Sequence, residues 1–297
     1  MSSWLSGSHY YVDAKLKLTM VPIICSLKMV NNLKILHSSR SKVLIFLRNP
    51  MPVQHIGHRI QVLETIDSSN NYAMALVRQK KAVHGEAIFA LEQTAGKGQM
   101  GRQWVTNKGE NIILSIVLET ALLPTKALFP LSIAMSLAGH DFLQQMAGDG
   151  CCIKWPNDLY WRDRKAGGIL IENNWKGAHW QFAIVGMGIN INQVAFGEAL
   201  KRPVSLKQIT GKSTDLMAAV KRLCSCVEGR WQQLLNGEEN ELLQVYNSVL
   251  YARDTMVPLR VNGREFSTRI LGVNSSGELL TSDPVQGKFL VGEVEWV

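Results

Sequence analysis

A chain of 297 residues, 46% hydrophobic and 19% charged, excludes a fibrous or disordered protein and suits one large domain followed by a small one. Its net charge of +8 is uneven: residues 1–50 hold Lys15, Lys17, Lys28, Lys34, Arg40, Lys42 and Arg48 against Asp13 alone, which is +6. The rest carries +2 (+8 less +6), which does not support a broad basic face for nucleic acid.

No apolar run reaches the ~18 residues of a membrane span, and Val21–Leu27 is too short for a signal-peptide core. The five cysteines have no C-x-x-C pair. They read as reduced thiols, neither a disulfide framework nor a zinc site, and the expected compartment is the cytoplasm.

Residues 1–55, broken by Pro22, Pro50 and Pro52, show no sustained period and read as a poorly ordered extension. From there the pattern predicts a strand over His58–Ile66, then side-chain oxygens at Asp67–Asn71 that can cap a helix over Tyr72–Ala82. Strands follow at Glu86–Leu91 and Asn111–Glu119, with a glycine loop, Gly96–Gly101, between them. Ala127–Met146 has apolar positions three and four apart and reads as a buried helix. Cys151–Trp155 is a strand, Leu159–Trp161 and Gly168–Glu172 a hairpin around Asp163-Arg164-Lys165, and Trp180–Ile191 another strand. Thr214–Leu235 and Asn240–Leu250 are helices. Short strands at Met256–Val261, Arg264–Val273, Glu278–Ser282 and Phe289–Val294, with turn pairs Asn262-Gly263, Ser276-Gly277 and Gln286-Gly287, predict a small β-barrel. The fold class is α/β (α+β), with a catalytic domain over 56–253 and a barrel over 254–297.

Four stretches carry chemistry. In Gln93–Trp104 three glycines allow a loop whose backbone N–H groups approach an anion, with Lys97 and Arg102 adding charge; a plain turn between strands uses glycine too. It matches G-x-G-x-x-G, but no helix follows, so the dinucleotide-binding reading fails on context. Thr210-Gly211-Lys212-Ser213 lacks the second glycine of a phosphate loop, since Leu206 stands there, and reads as a helix start capped by Ser213. Lys154-Trp155-Pro156-Asn157-Asp158 is either turn chemistry or an oxygen set for a metal–phosphate unit. Lys165 stands before a glycine pair and an apolar strand. In Gly186-Met187-Gly188-Ile189-Asn190, glycines inside an apolar strand signal close approach of a backbone or ligand, which Asn190 can then reach.

In this order, Ser68-Ser69-Asn70, Gly96–Arg102, Lys154–Asp158, Lys165–Leu170 and Gly186–Asn190 resemble the biotin protein ligase (holocarboxylase synthetase) family over about residues 58–297. The resemblance implies a mixed-sheet, class II synthetase-like catalytic domain, an SH3-like barrel, and two steps. Biotin and ATP, with Mg²⁺, give biotinyl-adenylate; a lysine of a biotin carboxyl carrier domain then takes the biotin. Ser68, Ser69, Asn70 and Gln93 would meet the biotin rings, and Lys97, Gly98 and Gln99 would fold over them. Gly168, Gly186 and Gly188 would line the substrate path, and Lys165 would hold the carboxylate. Arg102, Trp104, Lys154, Asn157 and Asn190 would face ATP. Lys165 and Arg102 are the expected catalytic cations, with no resident metal, no membrane and a monomer or homodimer.

Lys97 and Gln99 stand where the family has arginines, which removes a planar fork and a charge. Residues 1–55 show no pair of amphipathic helices around a short turn, so the expectation is a catalyst without a DNA-binding domain. Two other readings stand beside this one: a lipoate-protein ligase, which shares the catalytic fold but is set apart by the glycine loop with its downstream arginine, and a biotin-responsive nucleic-acid-binding regulator, which rests on the basic N-terminus.

Overall fold

The computed structural model describes residues 26–30, 33–38 and 41–43 by backbone, and 55–297 except 122, 125, 126, 198–201 and 283–285. The chain divides into two units, Met1–Val53 and Gln54–Val297. In the first, β1 (Ser26–Val30), β2 (Leu33–Ser38) and β3 (Ser41–Val43) form an antiparallel meander. The expectation of poor order over residues 1–55 otherwise falls outside the described residues.

The second unit opens with β4 (Ile60–Leu63), α1 (Ser69–Arg78), β5 (Ala87–Ala90) and β6 (Ile112–Glu119). Next come α2 (Leu128–Ala147), β7 (Cys151–Lys154), β8 (Asp158–Trp161), β9 (Arg164–Lys176) and β10 (His179–Ile189). The strands form one mixed sheet in the order β4-β5-β6-β10-β9-β8-β7, parallel only between β4 and β5. Alternation along β6 sorts the two faces. Ile112, Leu114, Ile116 and Leu118 enter the main core behind the sheet. Val117 instead meets Ala73 and Val77 of α1 in front.

Behind the sheet lies α2, apolar on most sides because α3 (Leu206–Thr210), α4 (Leu216–Leu235) and α5 (Glu239–Ser248) also pack against it. Such a helix is buried all round; Leu131, Met135, Leu137, Phe142 and Leu143 are fully buried. Gly148, with φ +72°, ends it.

The last five strands are β11 (Met256–Val261), β12 (Arg264–Val273), β13 (Leu279–Ser282), β14 (Gly287–Phe289) and β15 (Glu295–Trp296). They form an antiparallel sheet in the order β14-β13-β12-β11-β15. It is tied to the rest at α5 and the β7–β8 turn. Trp155 donates to the Gly277 carbonyl (3.1 Å) and the Asn247 amide brackets Val273 (2.9 and 2.7 Å), while Tyr246 joins α5 to the turn through the Pro156 carbonyl (2.8 Å).

Three expectations are corrected. Gly168–Glu172 is the middle of β9, whose polar end continues in a ladder with His179–Phe182. The helix start at Ser213 is displaced: Ser205 and Gln208 form a capping box for α3, Gly211 ends it in the left-handed region, and Asp215 caps α4 by accepting from Ala218 N (2.6 Å). The strand expected over Phe289–Val294 is broken by a turn at Leu290–Glu293, where the Glu293 carboxylate accepts from Leu290 N (2.7 Å) and Gly292 has φ +93°. No described helix is long and apolar enough to cross a membrane.

Candidate active site

The antiparallel register places Ile113, Gly188, Gly168, Asp158 and Lys154 in one cross-strand row over β6, β10, β9, β8 and β7. Ser115, Gly186 and Leu170 form the next row. Directly paired residues share a face. The three glycines therefore open a trough in the front of the sheet, and a cleft of about 760 Å³ lies over it. Its walls are the N-terminus of α1, the glycine loop, the β7–β8 turn and the end of the C-terminal sheet.

At one end Ser68 caps α1, accepting from Asn71 N (3.4 Å). Ser69, Asn70 and Ser115 are buried here together. Ser69 N donates to Gln93 Oε1 (2.7 Å), and the Ser115 hydroxyl lies 2.7 Å from Ser69 Oγ and 2.6 Å from Asn70 Oδ1. Asn70 Nδ2 donates to Glu172 Oε2 (2.8 Å). The N-terminus of a helix at the end of a cleft, with buried polar side chains held in fixed orientations, suits a small polar group.

The glycine loop folds back on itself: Gly98 N donates to Arg102 O (2.7 Å) and Trp104 N to Gly96 O (2.9 Å). At its tip Met100 and Gly101 have φ of 54° and 76°. The Gly98 N–H is thus spent within the loop and does not offer itself to an anion. Lys97 is also engaged, with Nζ 2.5 Å from Asn71 Oδ1 and 3.4 Å from Glu172 Oε1.

In the middle of the cleft, Lys165 Nζ lies 2.6 Å from Asp158 Oδ1. Strict alternation would put Lys165 and Gly168 on opposite faces. The β8–β9 register slips by one residue at Ala166, between the pairs Leu159↔Gly167 and Tyr160↔Lys165. Such a bulge re-aims the side chain before it, and the lysine reaches the cleft.

At the other end Trp104 packs edge-on into the space above Gly188, where a Cβ would meet Cε2 at 2.5 Å. Its buried Nε1 has no partner among the described residues. Lys154 Nζ stands over three rings, Trp296 (4.9 Å), Tyr160 (5.1 Å) and Tyr251 (5.5 Å). Burial, and then the Asp158 charge, push the Tyr160 phenol well above its ordinary range, so it stays neutral beside the lysine.

All the residues predicted for the site line this one cleft: Ser68, Ser69, Asn70, Gln93, Lys97, Gly98, Gln99, Arg102, Trp104, Lys154, Asn157, Lys165, Gly168, Gly186, Gly188 and Asn190. The asparagine amides, however, are committed to the protein. Asn157 Nδ2 donates to the Ile169 carbonyl and Asn190 Nδ2 to that of Val204 (3.1 Å), so both fix the backbone of the cleft. The protein atoms nearest Gly186 and Gly188 belong to the side chains of Asn70 and Trp104.

Sequence reasoning missed Ser115, Glu172, Tyr160, Tyr251, Arg260 and Trp296. Ser115 had a signal, as the one hydroxyl inside an apolar strand; Trp296 and Tyr251 had none, because only the tertiary fold brings them to Lys154. Asp158 and Glu295 are the carboxylates lining the cleft, and no cluster of three metal-ligating side chains occurs among the described residues.

Residues 62–190, which supply the sheet and most of the cleft, match the biotin/lipoate A/B protein ligase family. The biotin–[acetyl-CoA-carboxylase] ligase of Paracoccus denitrificans is 33% identical over 185 residues, 59% of this chain and 73% of that one. A bifunctional ligase/repressor of Bacillus spizizenii is 27% identical over 245 residues, 82% of this chain and 74% of the relative. In fold the chain is similar to the biotin protein ligase from Aquifex aeolicus solved with biotin and ATP (TM-score 0.69, 23% identity, covering 80% of this chain and 99% of that one). With that extent of identity to a ligase and the family's match running through the cleft itself, the chain belongs to the biotin/lipoate A/B protein ligase family.

Proposed function

We propose that the chain is an ATP-dependent biotin protein ligase, which forms biotinyl-5′-AMP and transfers the biotin to a lysine of a biotin carboxyl carrier domain. The observation that carries this is the order of chemistries along one cleft. A polar pocket at the α1 end is followed by a glycine-floored trough, a lysine aimed in by a bulge, and an end lined by Arg102 and Trp104. Biotin has the same order: a cyclic urea, an apolar chain and a carboxylate.

In the first step a biotin carboxylate oxygen attacks the α-phosphorus of ATP. An O–P bond forms, the bond to the bridging oxygen breaks, and pyrophosphate leaves. Both reactants are anions, so the barrier falls when fixed cations face the oxygens where charge accumulates. Lys165 does this at the carboxylate and Arg102 at the nucleotide. In the second step the neutral amine of the carrier lysine attacks the acyl carbon, the acyl–phosphate C–O bond breaks, AMP leaves and the amine gives up its proton. Holding the partners in line supplies much of the rate.

Magnesium, brought with the ATP phosphates, usually needs only one or two protein carboxylates. Asp158, whose Oδ1 pairs with Lys165, would hold it through its other oxygen; the ion would offset phosphate charge. In this reading residues 56–253 form the catalytic domain and 254–297 a C-terminal domain that closes one end of the cleft, and the protein works in the cytoplasm.

The test is carrier labelling. Purified protein, ATP, Mg²⁺ and an apo carrier domain are incubated with biotin or with lipoate, and the carrier mass is followed. A biotin-sized, ATP-dependent gain is expected. A gain with lipoate alone would keep the chemistry and overturn the substrate.

The loop supplies a second prediction. Lys97 is held by Asn71 and Glu172, and Gln99 is uncharged, so apart from Arg102 the loop places little charge on the adenylate. Gln99→Arg is expected to slow release of biotinyl-adenylate about tenfold, the effect of one charge-assisted hydrogen bond. An unchanged release rate in a chase with unlabelled biotin would sink the idea.

A further inference from the structure

We infer that Glu172 is a positioning residue for biotin recognition: its carboxylate sets which atoms of the buried Asn70–Ser115–Ser69 relay donate and which accept. The inference rests on the ligase reading above. Glu172 lies on β9, one alternation beyond Leu170 in the row that floors the cleft, and does not itself line the cleft.

The argument is one of hydrogen counting. An ionised carboxylate only accepts. Glu172 Oε2 lies 2.8 Å from the Asn70 amide, which must therefore turn its NH₂ toward it, and a second contact to the Leu170 carbonyl (3.4 Å) agrees. Asn70 Oδ1 then faces Ser115, whose hydroxyl is 2.6 Å away. Ser115 has a single hydrogen, and Oδ1 takes it. Ser69 Oγ lies 2.7 Å from Ser115 Oγ and 3.0 Å from Gln93 Oε1, and since Ser115 has spent its hydrogen on Asn70, only the Ser69 hydrogen can bridge the shorter contact. With that hydrogen committed, Ser69 Oγ is left as an acceptor. Gln93 Oε1 takes the Ser69 N–H (2.7 Å), which leaves the Gln93 NH₂ as a donor. A cyclic urea carries N–H donors and a C=O acceptor, and an acceptor beside a donor is its complement.

The relay leaves little slack. Ser69, Asn70 and Ser115 are at most 4% exposed, and a reversed amide inside it would strand buried hydrogens. The Lys97 ammonium, 3.4 Å from the other Glu172 oxygen, anchors the carboxylate from outside. Through that contact the residue that orders the pocket also touches the loop at its mouth.

Glu172→Gln keeps size but can either donate or accept, so it unlocks the polarity. It is expected to raise the biotin KM about tenfold, with kcat at saturating biotin within about threefold and the ATP KM unchanged. Asn70→Asp alone puts two carboxylates face to face and is expected to be at least as impaired. The swap Asn70→Asp with Glu172→Gln restores one donor and one acceptor across that contact, now with residue 172 donating and residue 70 accepting, and leaves Ser115 donating to residue 70. It is expected to recover most of the loss in biotin KM.

A biotin KM of Glu172→Gln within twofold of the wild type overturns the inference. So does a uniform fall in kcat and rise in both KM values that the swap fails to relieve, which would mark a purely structural residue. A wild-type chain that labels no carrier with biotin overturns the ligase reading and this inference together. Wild-type labelling with an unaffected Glu172→Gln overturns the inference alone.

Discussion

Replacing Lys165 with alanine is expected to lower the rate of biotinyl-adenylate formation by about 10²- to 10³-fold, the cost of removing one fixed donor from a site of developing charge. The lysine is the cation that the bulge at Ala166 delivers to the centre of the cleft, where its Nζ pairs with Asp158 at 2.6 Å. Two anions must meet there, and without Lys165 the Asp158 carboxylate adds a third. Stability should hardly change. Both side chains line the open cleft, so water reaches the Asp158 carboxylate once the lysine is gone, and the loss is worth about 1 kcal/mol. A shift in Tm of no more than about 4 °C would follow. Pyrophosphate release in a single turnover measures the chemical step, and a thermal melt on the same protein controls for folding. Lysine to arginine should recover only part of the rate, because the planar guanidinium cannot follow the ammonium's path past Gly168. An adenylation rate for the alanine variant within threefold of the wild type would remove Lys165 from the mechanism.

That lysine also shows where the sequence stops being readable. Its presence before a glycine pair is plain, but its direction depends on a one-residue slip in register that alternation cannot reveal. Local physics was legible where it was strong: the β-branched run of β6, the apolar helix α2, the oxygens that cap α1, the turn residues after Trp155. The cleft residues could be gathered through the family resemblance of five short stretches, yet their partners could not. Glu172 reads as the polar end of an apolar strand, and only the packing of α1 on the sheet brings Asn70 to it. Trp296 lies more than a hundred residues from Lys154, and no local pattern predicts that it covers it. The break of the last strand at Leu290–Glu293 was missed because a glycine and a glutamate can be a turn or part of a ladder, and a backbone hydrogen bond to the Glu293 side chain decides between them.

The paired glycines of β10 offer the sharpest separation of the two substrates. Gly186→Ala and Gly188→Ala differ by one alternation along a single strand, and each adds one methyl group to the floor of the same cleft. At Gly186 that carbon would lie 2.5 Å from Asn70 Oδ1. At Gly188 it would lie 2.5 Å from Trp104 Cε2 and 2.8 Å from Nε1. Neither neighbour can yield at low cost. Asn70 is held by Glu172 and Ser115, and the Trp104 backbone is pinned to Gly96, where even a Cβ would strike the Trp104 carbonyl oxygen at 2.3 Å. Overpacking of this kind costs about 1–3 kcal/mol, or roughly 5- to 150-fold in a binding constant if it falls on the site. Gly186→Ala is therefore expected to raise the biotin KM by about tenfold or more and leave that for ATP close to normal. Gly188→Ala is expected to do the reverse, by forcing the indole off the nucleotide end. Measuring both KM values for both variants gives a four-way test. If the two substitutions weaken both substrates alike, the cleft does not divide into a biotin end and an ATP end, and the order of chemistries that supports the ligase mechanism loses its footing.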